Sequence, residues 1–130
     1  VQRKESGEVA RAEVASWLDE AWEVDLSRGG EWTLERDTVP PKVLPYHSAS
    51  PLVATGDAVW FVDDALSGVR EMDLRLDGRW ARVVWDPKRN MVTYQASDVV
   101  HARGRSVKAV LTVEDEVGNV QVWKGGLVWP

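Results

Sequence analysis

The residues able to do chemistry are few, and their spacing argues against most of it. Histidine occurs twice, as His47 in the proline-bounded PYHSASP and as His101 after Val99-Val100, with no second ligand at metal-binding spacing near either. A zinc centre wants about four donors, so no histidine is assigned a metal. The absence of cysteine removes thiol catalysis, disulfides and thiolate-bound zinc together. Carboxylates are plentiful, as Asp63-Asp64 and Glu114-Asp115-Glu116. Hard cations take oxygen ligands, so Asp63, Asp64 and Asp115 form a candidate calcium set, but the same residues are also what begins a turn, because an aspartate bonds the backbone two residues on. A carboxylate pair for acid–base work needs one member desolvated in a cleft, and neither a glycine-rich phosphate loop nor a Gly-x-Ser-x-Gly elbow is present. What remains is binding chemistry around Trp80, Arg75 and Arg82. A flat aromatic flanked by hydrogen-bonding side chains is a surface on which sugar rings stack, and equally one that arginine stems shield. The expectation is a chain without catalysis and without a cofactor.

The elements that must position these residues are strands. In REMDLRLDGRWARVVW the residues Met72, Leu74 and Leu76 alternate with Glu71, Asp73 and Arg75, the period of a strand with one buried face. Asp77-Gly78 is a type I′ turn signal. That turn sets Leu76 opposite Arg79, Leu74 opposite Ala81 and Met72 opposite Val83, and on the other face Asp73 opposite Arg82 and Arg75 opposite Trp80, with Val84 on the Trp80 side. Each polar pair is worth about 0.2–1 kcal/mol.

Short strands are also expected at Val59 to Val62 and Met91 to Gln95, both interior, then along SVKAVLTVED with Val107, Ala109, Leu111 and Val113 inward, and back through Val120 and Val122 after Gly118-Asn119. Such an antiparallel series of closely spaced strands reads as an all-β sandwich. Upstream, AWEVDLSRGGEWTLERD reads as a hairpin over Arg28-Gly29-Gly30, with Leu26 opposite Trp32 and Val24 opposite Leu34. Pro40, Pro41 and Pro45 are unfit for a central strand, so they mark a linker or the start of a new module. Residues 9–22 are ambiguous: Val14, Trp17, Leu18 and Ala21 fit a helical stripe. Of the eight tryptophans, Trp17, Trp22, Trp32, Trp60, Trp85 and Trp123 are expected on strands as core or inter-domain filler.

Length and composition bound the rest. The 130 residues suit one domain, or a domain with a piece of its neighbour. A content of 44% hydrophobic and 28% charged residues is globular, and no apolar run approaches a membrane span. With 16 basic and 21 acidic residues interspersed and a net charge of −5, no basic face for a phosphate backbone is expected. The start at Val1, with no signal peptide or lipobox, suggests a fragment or processed product.

Five pieces in order give a resemblance. Gly30-Glu31-Trp32 through Asp37 to Pro40-Pro41, the turn Asp63-Asp64-Ala65-Leu66-Ser67-Gly68, Asp77-Gly78-Arg79-Trp80, Trp85-Asp86-Pro87-Lys88, and Glu114-Asp115-Glu116-Val117-Gly118-Asn119 together resemble the C-terminal immunoglobulin-like region of bacterial M23-type cell-wall peptidases, best known from Bacteroidetes. The likeness spans about residues 16–123. It departs in the extra residue before Ser67-Gly68 and in the longer VVHARGRSV.

The resemblance implies an immunoglobulin-like sandwich over 38–130, preceded over 1–37 by strands and a hairpin of a β-rich neighbour, so that residues 16–22 are extended. It implies no zinc set in this chain. It also implies an extracytoplasmic accessory role, with an adjacent domain or another chain as partner and cell-wall glycan as a further one. A carbohydrate-binding module, and a structural subunit of a surface assembly joined through strand edges, are the alternatives.

Overall fold

The computed structural model describes residues 1–4, 9–13, 15–18, 21–24, 29–64, 66–96 and 103–130. Strands β5 (Lys42–Pro45), β6 (Ala58–Asp63), β7 (Val69–Leu76), β8 (Arg79–Ala81), β9 (Val84–Asp86), β10 (Met91–Tyr94), β11 (Ser106–Asp115) and β12 (Val120–Val128) form two four-stranded antiparallel sheets, ordered β5-β6-β10-β9 and β12-β11-β7-β8. Lettered along the chain from A, with β8 as C′, these are the ABED and GFCC′ sheets of an immunoglobulin sandwich. As expected, β6 and β10 are interior strands. Proline is tolerated at Pro45 because β5 is an edge strand. Among the described residues no helix is long and apolar enough to cross a membrane.

Ahead of the sandwich lie two ribbons, β1 (Gln2–Arg3) with β2 (Val9–Arg11), and β3 (Ser16–Leu18) with β4 (Ala21–Glu23). Extended structure at 16–18 and 21–23 is therefore borne out over the helical alternative. The expected 24–34 hairpin is not formed: Val24 and residues 29–41 carry no strand, Trp32 and Leu34 included, while Leu26 lies outside the described residues. The backbone of Thr33 is instead taken by Val1, the two exchanging hydrogen bonds of 2.6 and 2.8 Å, and Arg3 holds Glu35 through two contacts of 2.9 and 2.8 Å.

Period-two alternation builds the core. Ala58, Trp60, Val62, Val92 and Tyr94 from one sheet meet Leu74, Ala109, Leu111, Val113 and Leu127 from the other. Trp60, fully buried, packs edge to face on Trp123 with centroids 5.4 Å apart. Its Nε1 has no hydrogen-bond partner among the described residues. A glycine is required at position 125 because the Trp123 ring lies where a Cβ would sit, 2.5 Å from Cη2. Trp129, not foreseen as a core residue, closes one end by donating Nε1 to the Gly56 carbonyl (2.7 Å) and meeting Tyr94 edge-on. Val120 and Val122 face outward, 47% and 41% exposed, because Trp123 and Leu127 hold the inward positions of β12.

The central hairpin has the expected register as far as Ala81: Leu76 faces Arg79, Arg75 faces Trp80 and Leu74 faces Ala81. There β8 ends. The expected pairs Met72–Val83 and Asp73–Arg82 do not form, because the chain leaves the sheet at Arg82 and Val83 and re-forms as β9 in the opposite one, taking Val84 and Trp85 with it. Both turn residues have positive φ, 49° at Asp77 and 80° at Gly78, as type I′ demands. No atom lies near a Cβ built on Gly78, so a side chain there meets backbone strain and nothing else. Gly78→Val is expected to cost about 1–3 kcal/mol, read as a lower denaturant midpoint. An unchanged midpoint would contradict the turn.

Candidate functional site

Three turns converge at one end of the sandwich, and each is organised by an aspartate. Asp115 ends β11, is fully buried, and accepts hydrogen bonds from Val117 N–H (3.0 Å), Asn119 N–H (2.8 Å) and Asn119 Nδ2 (2.8 Å). Gly118, at φ 91°, lets the chain reverse tightly enough for all three donors to reach one carboxylate. Asp64 follows β6 and accepts from Gly68 N–H at 2.6 Å. Asp37, in the strandless segment before β5, accepts from Val39 N–H (3.0 Å), from Ser67 Oγ (2.6 Å) and from Ser67 N–H (3.3 Å), while its own carbonyl accepts from Asn119 Nδ2 (3.1 Å). One carboxylate oxygen from each of Asp37, Asp64 and Asp115 lies within 4.8 Å of the others.

The expected trio of Asp63, Asp64 and Asp115 is thus corrected in one member. Asp63 is exposed on β6 opposite Lys42 and is not a member of the cluster, where Asp37 takes its place. Asp37 carries a local signal, since an aspartate whose carboxylate bonds the N–H two residues on is a turn former, and it stands in the lead-in to the sandwich. Its distant partners had no local signal. Calcium needs six to eight oxygens. Here Asp115 and Asp37 already spend both carboxylate oxygens on protein donors, and Asp64 Oδ1 alone has no partner among the described residues. The arrangement fits a hydrogen-bonded knot better than an ion cage.

The knot is electrically uneven. Burial opposes charge on Asp115, but the hydrogen bonds donated by the Asn119 side chain and backbone and by the Val117 backbone outweigh it and hold the carboxyl below its ordinary value. Burial raises Asp64, and the neighbouring Asp37 and Asp115 charges add to this against the Gly68 hydrogen bond, so Asp64 sits above its ordinary value. Beside the knot lies a cleft of about 790 Å³, lined by Trp32, Leu34, Leu66 and Val117 together with Asp37 and Ser67.

The binding residues foreseen on the hairpin are placed as follows. Trp80 points outward and is 63% exposed, directly across from Arg75. Arg75 donates Nε to Asp73 on its own strand (3.0 Å), in place of the expected Asp73–Arg82 pair. Arg82 lies beyond β8, exposed and outside the sheet row. His47 is an exposed loop residue set edge-on to Tyr46 at 4.9 Å, and His101 is outside the described residues.

The two perturbed carboxyls give stability opposite pH dependences. The depressed Asp115 contributes stability that is present above the ordinary aspartate range and lost as pH falls through its lowered value; the raised Asp64 contributes stability that is complete below that range and lost as pH rises through its elevated value. Thermal melts from neutral to acid pH should therefore show Asp64→Asn at least as stable as the parent near pH 7, with the gain on mild acidification abolished. Asp115→Ala strands three donors and is expected to cost about 2–4 kcal/mol near neutrality. Equal effects of the two substitutions would refute the assignment.

Searches of the chain against protein-family models and against curated proteins return no match.

Proposed function

We propose that this chain is a non-catalytic, immunoglobulin-like accessory module of a bacterial extracytoplasmic cell-wall peptidase, holding a neighbouring β-rich module in a set position. In this reading residues 1–37 belong to the neighbour and 38–130 to the sandwich. The observation that carries it is the placement of Asp37. The segment leading into the sandwich is fastened to two of its turns by Ser67 and Asn119 and to the first residues of the chain through Val1–Thr33 and Arg3–Glu35. A flexible tether would need neither contact; a module that orients what precedes it needs both. Three of the motifs behind the resemblance, the lead-in with Asp37, the turn with Asp64 and Ser67, and the closing turn with Asp115 and Asn119, meet in this knot, which gives their co-occurrence a physical reason.

A docking module raises the local concentration of an enzyme at an insoluble surface without entering the chemistry. Removal of residues 38–130 from the parent enzyme is therefore expected to lower activity on intact sacculi by about tenfold or more, while turnover of a short soluble peptide is kept. The isolated chain should neither cleave peptidoglycan nor bind zinc stoichiometrically. Equal loss on both substrates with the catalytic domain still folded, or no loss on either, would overturn the proposal.

A further inference from the structure

The outer face of the β12-β11-β7-β8 sheet is divided by charge. Outward residues nearest the Asp77-Gly78 turn are Lys108 on β11, Arg75 on β7 and Lys124 on β12, whereas those at the opposite end are Glu71 and Asp73 on β7 and Glu114 on β11, the last paired with Arg70. The pairing puts Trp80, Arg75, Val110 and Lys124 side by side in one row across all four strands. At about 4.8 Å per strand the row spans about 14 Å. Trp80 lies at one end of it, 63% exposed. Among the described residues Lys124 and Lys108 have no ion-pair partner, and Arg75 spends only Nε, on Asp73, which leaves its two Nη groups free to donate. In a chain of net charge −5, a row that carries Lys124 without an ion-pair partner, Arg75 only partly engaged by Asp73, and an exposed indole at its end is a local exception among the described residues.

We infer that this row binds an anionic polysaccharide, with one sugar ring stacked on Trp80 and acidic groups of the chain answered by Arg75 and Lys124. A sugar ring offers an apolar C–H face to the indole, and its carboxylate, sulfate or phosphate substituents suit the fork of Arg75 and the point charge of Lys124. An acidic peptide would use the cations but has no comparable use for a flat indole. A nucleic-acid backbone needs a longer run of cations, and here it would meet Glu71, Asp73 and Glu114 one or two rows on. Rigidity favours binding: Asp73 fixes Arg75, and the hairpin tip is tied to β11 by Asp77, which accepts from Lys108 N–H (2.8 Å) and Arg105 Nη2 (3.1 Å). The inference stands on this face alone and does not rest on the accessory-module reading.

The test is titration of the full 130-residue chain with a defined oligogalacturonate, followed by calorimetry and by the Trp80 indole N–H resonance. Parallel titrations use a neutral gluco-oligosaccharide of equal length, polyglutamate and oligothymidylate. The expected result is oligogalacturonate binding that weakens with salt and falls about tenfold or more in Trp80→Ala and in Lys124→Glu, with Lys88→Glu in the turn between β9 and β10 unchanged and the neutral sugar unbound. Trp80 and Lys124 are both exposed, so folding of the variants can be verified by their melting curves. No binding at millimolar oligogalacturonate would overturn the inference, as would binding indifferent to both substitutions. Equal or tighter binding of polyglutamate or oligothymidylate would overturn it in favour of a peptide or a nucleic acid.

Discussion

A carboxylate taken fully out of water must be answered by donors, and at Asp115 the answer organises one end of the molecule. Its donors come from the next turn, Val117 and Asn119, so the charge both starts and stops the β11–β12 connection. Asn119 then has its side-chain amide left for two acceptors at once, Asp115 and the Asp37 carbonyl. Through that shared amide the burial of one charge fixes a segment far away in sequence. Asp37 in turn engages Ser67, which brings in the turn between the two sheets. Without the charge at 115, the asparagine would have no reason to face inward, and the lead-in segment would keep only Ser67 of its two partners in the sandwich.

The sheets themselves are held by less specific means. Core residues are apolar and interleaved at period two, and tryptophans fill the gap between sheets where short strands supply too few aliphatic chains. This leaves little freedom in detail: Trp123 lies over Gly125, and the Trp60 indole is placed against Trp123. Large rings fill space well but tolerate few neighbours. The outer faces have none of these constraints, which is where charge could be sorted into a basic and an acidic half.

Legibility in the sequence followed locality. The turn at Asp77-Gly78 and the pairs next to it could be read because turn chemistry fixes register over the few residues beside it. The same reading failed beyond Ala81, since nothing in WARVVW says where the chain changes sheets; both sheets want the same alternation. Gly29-Gly30 resembled a hairpin loop, yet Thr33 and Glu35 were claimed by Val1 and Arg3, residues about thirty positions away. Asp64 and Asp115 were recognised as a cluster because each sits in an acidic turn. Asp37 shows locally only the mark of a turn former; its place in the knot depends on Ser67 and Asn119, and no local pattern announces partners at that distance.

The knot also has a consequence in time. Asp37 and Asn119 are 82 positions apart. At a synthesis rate of about 5–20 residues per second, roughly 4–16 s separate the appearance of the carbonyl from that of the amide that holds it. During that interval the lead-in segment, the two ribbons and strands β5 to β10 exist without the group that joins them. The fastening of the lead-in segment to the sandwich therefore waits until the closing turn has been made, after every strand from β5 to β11.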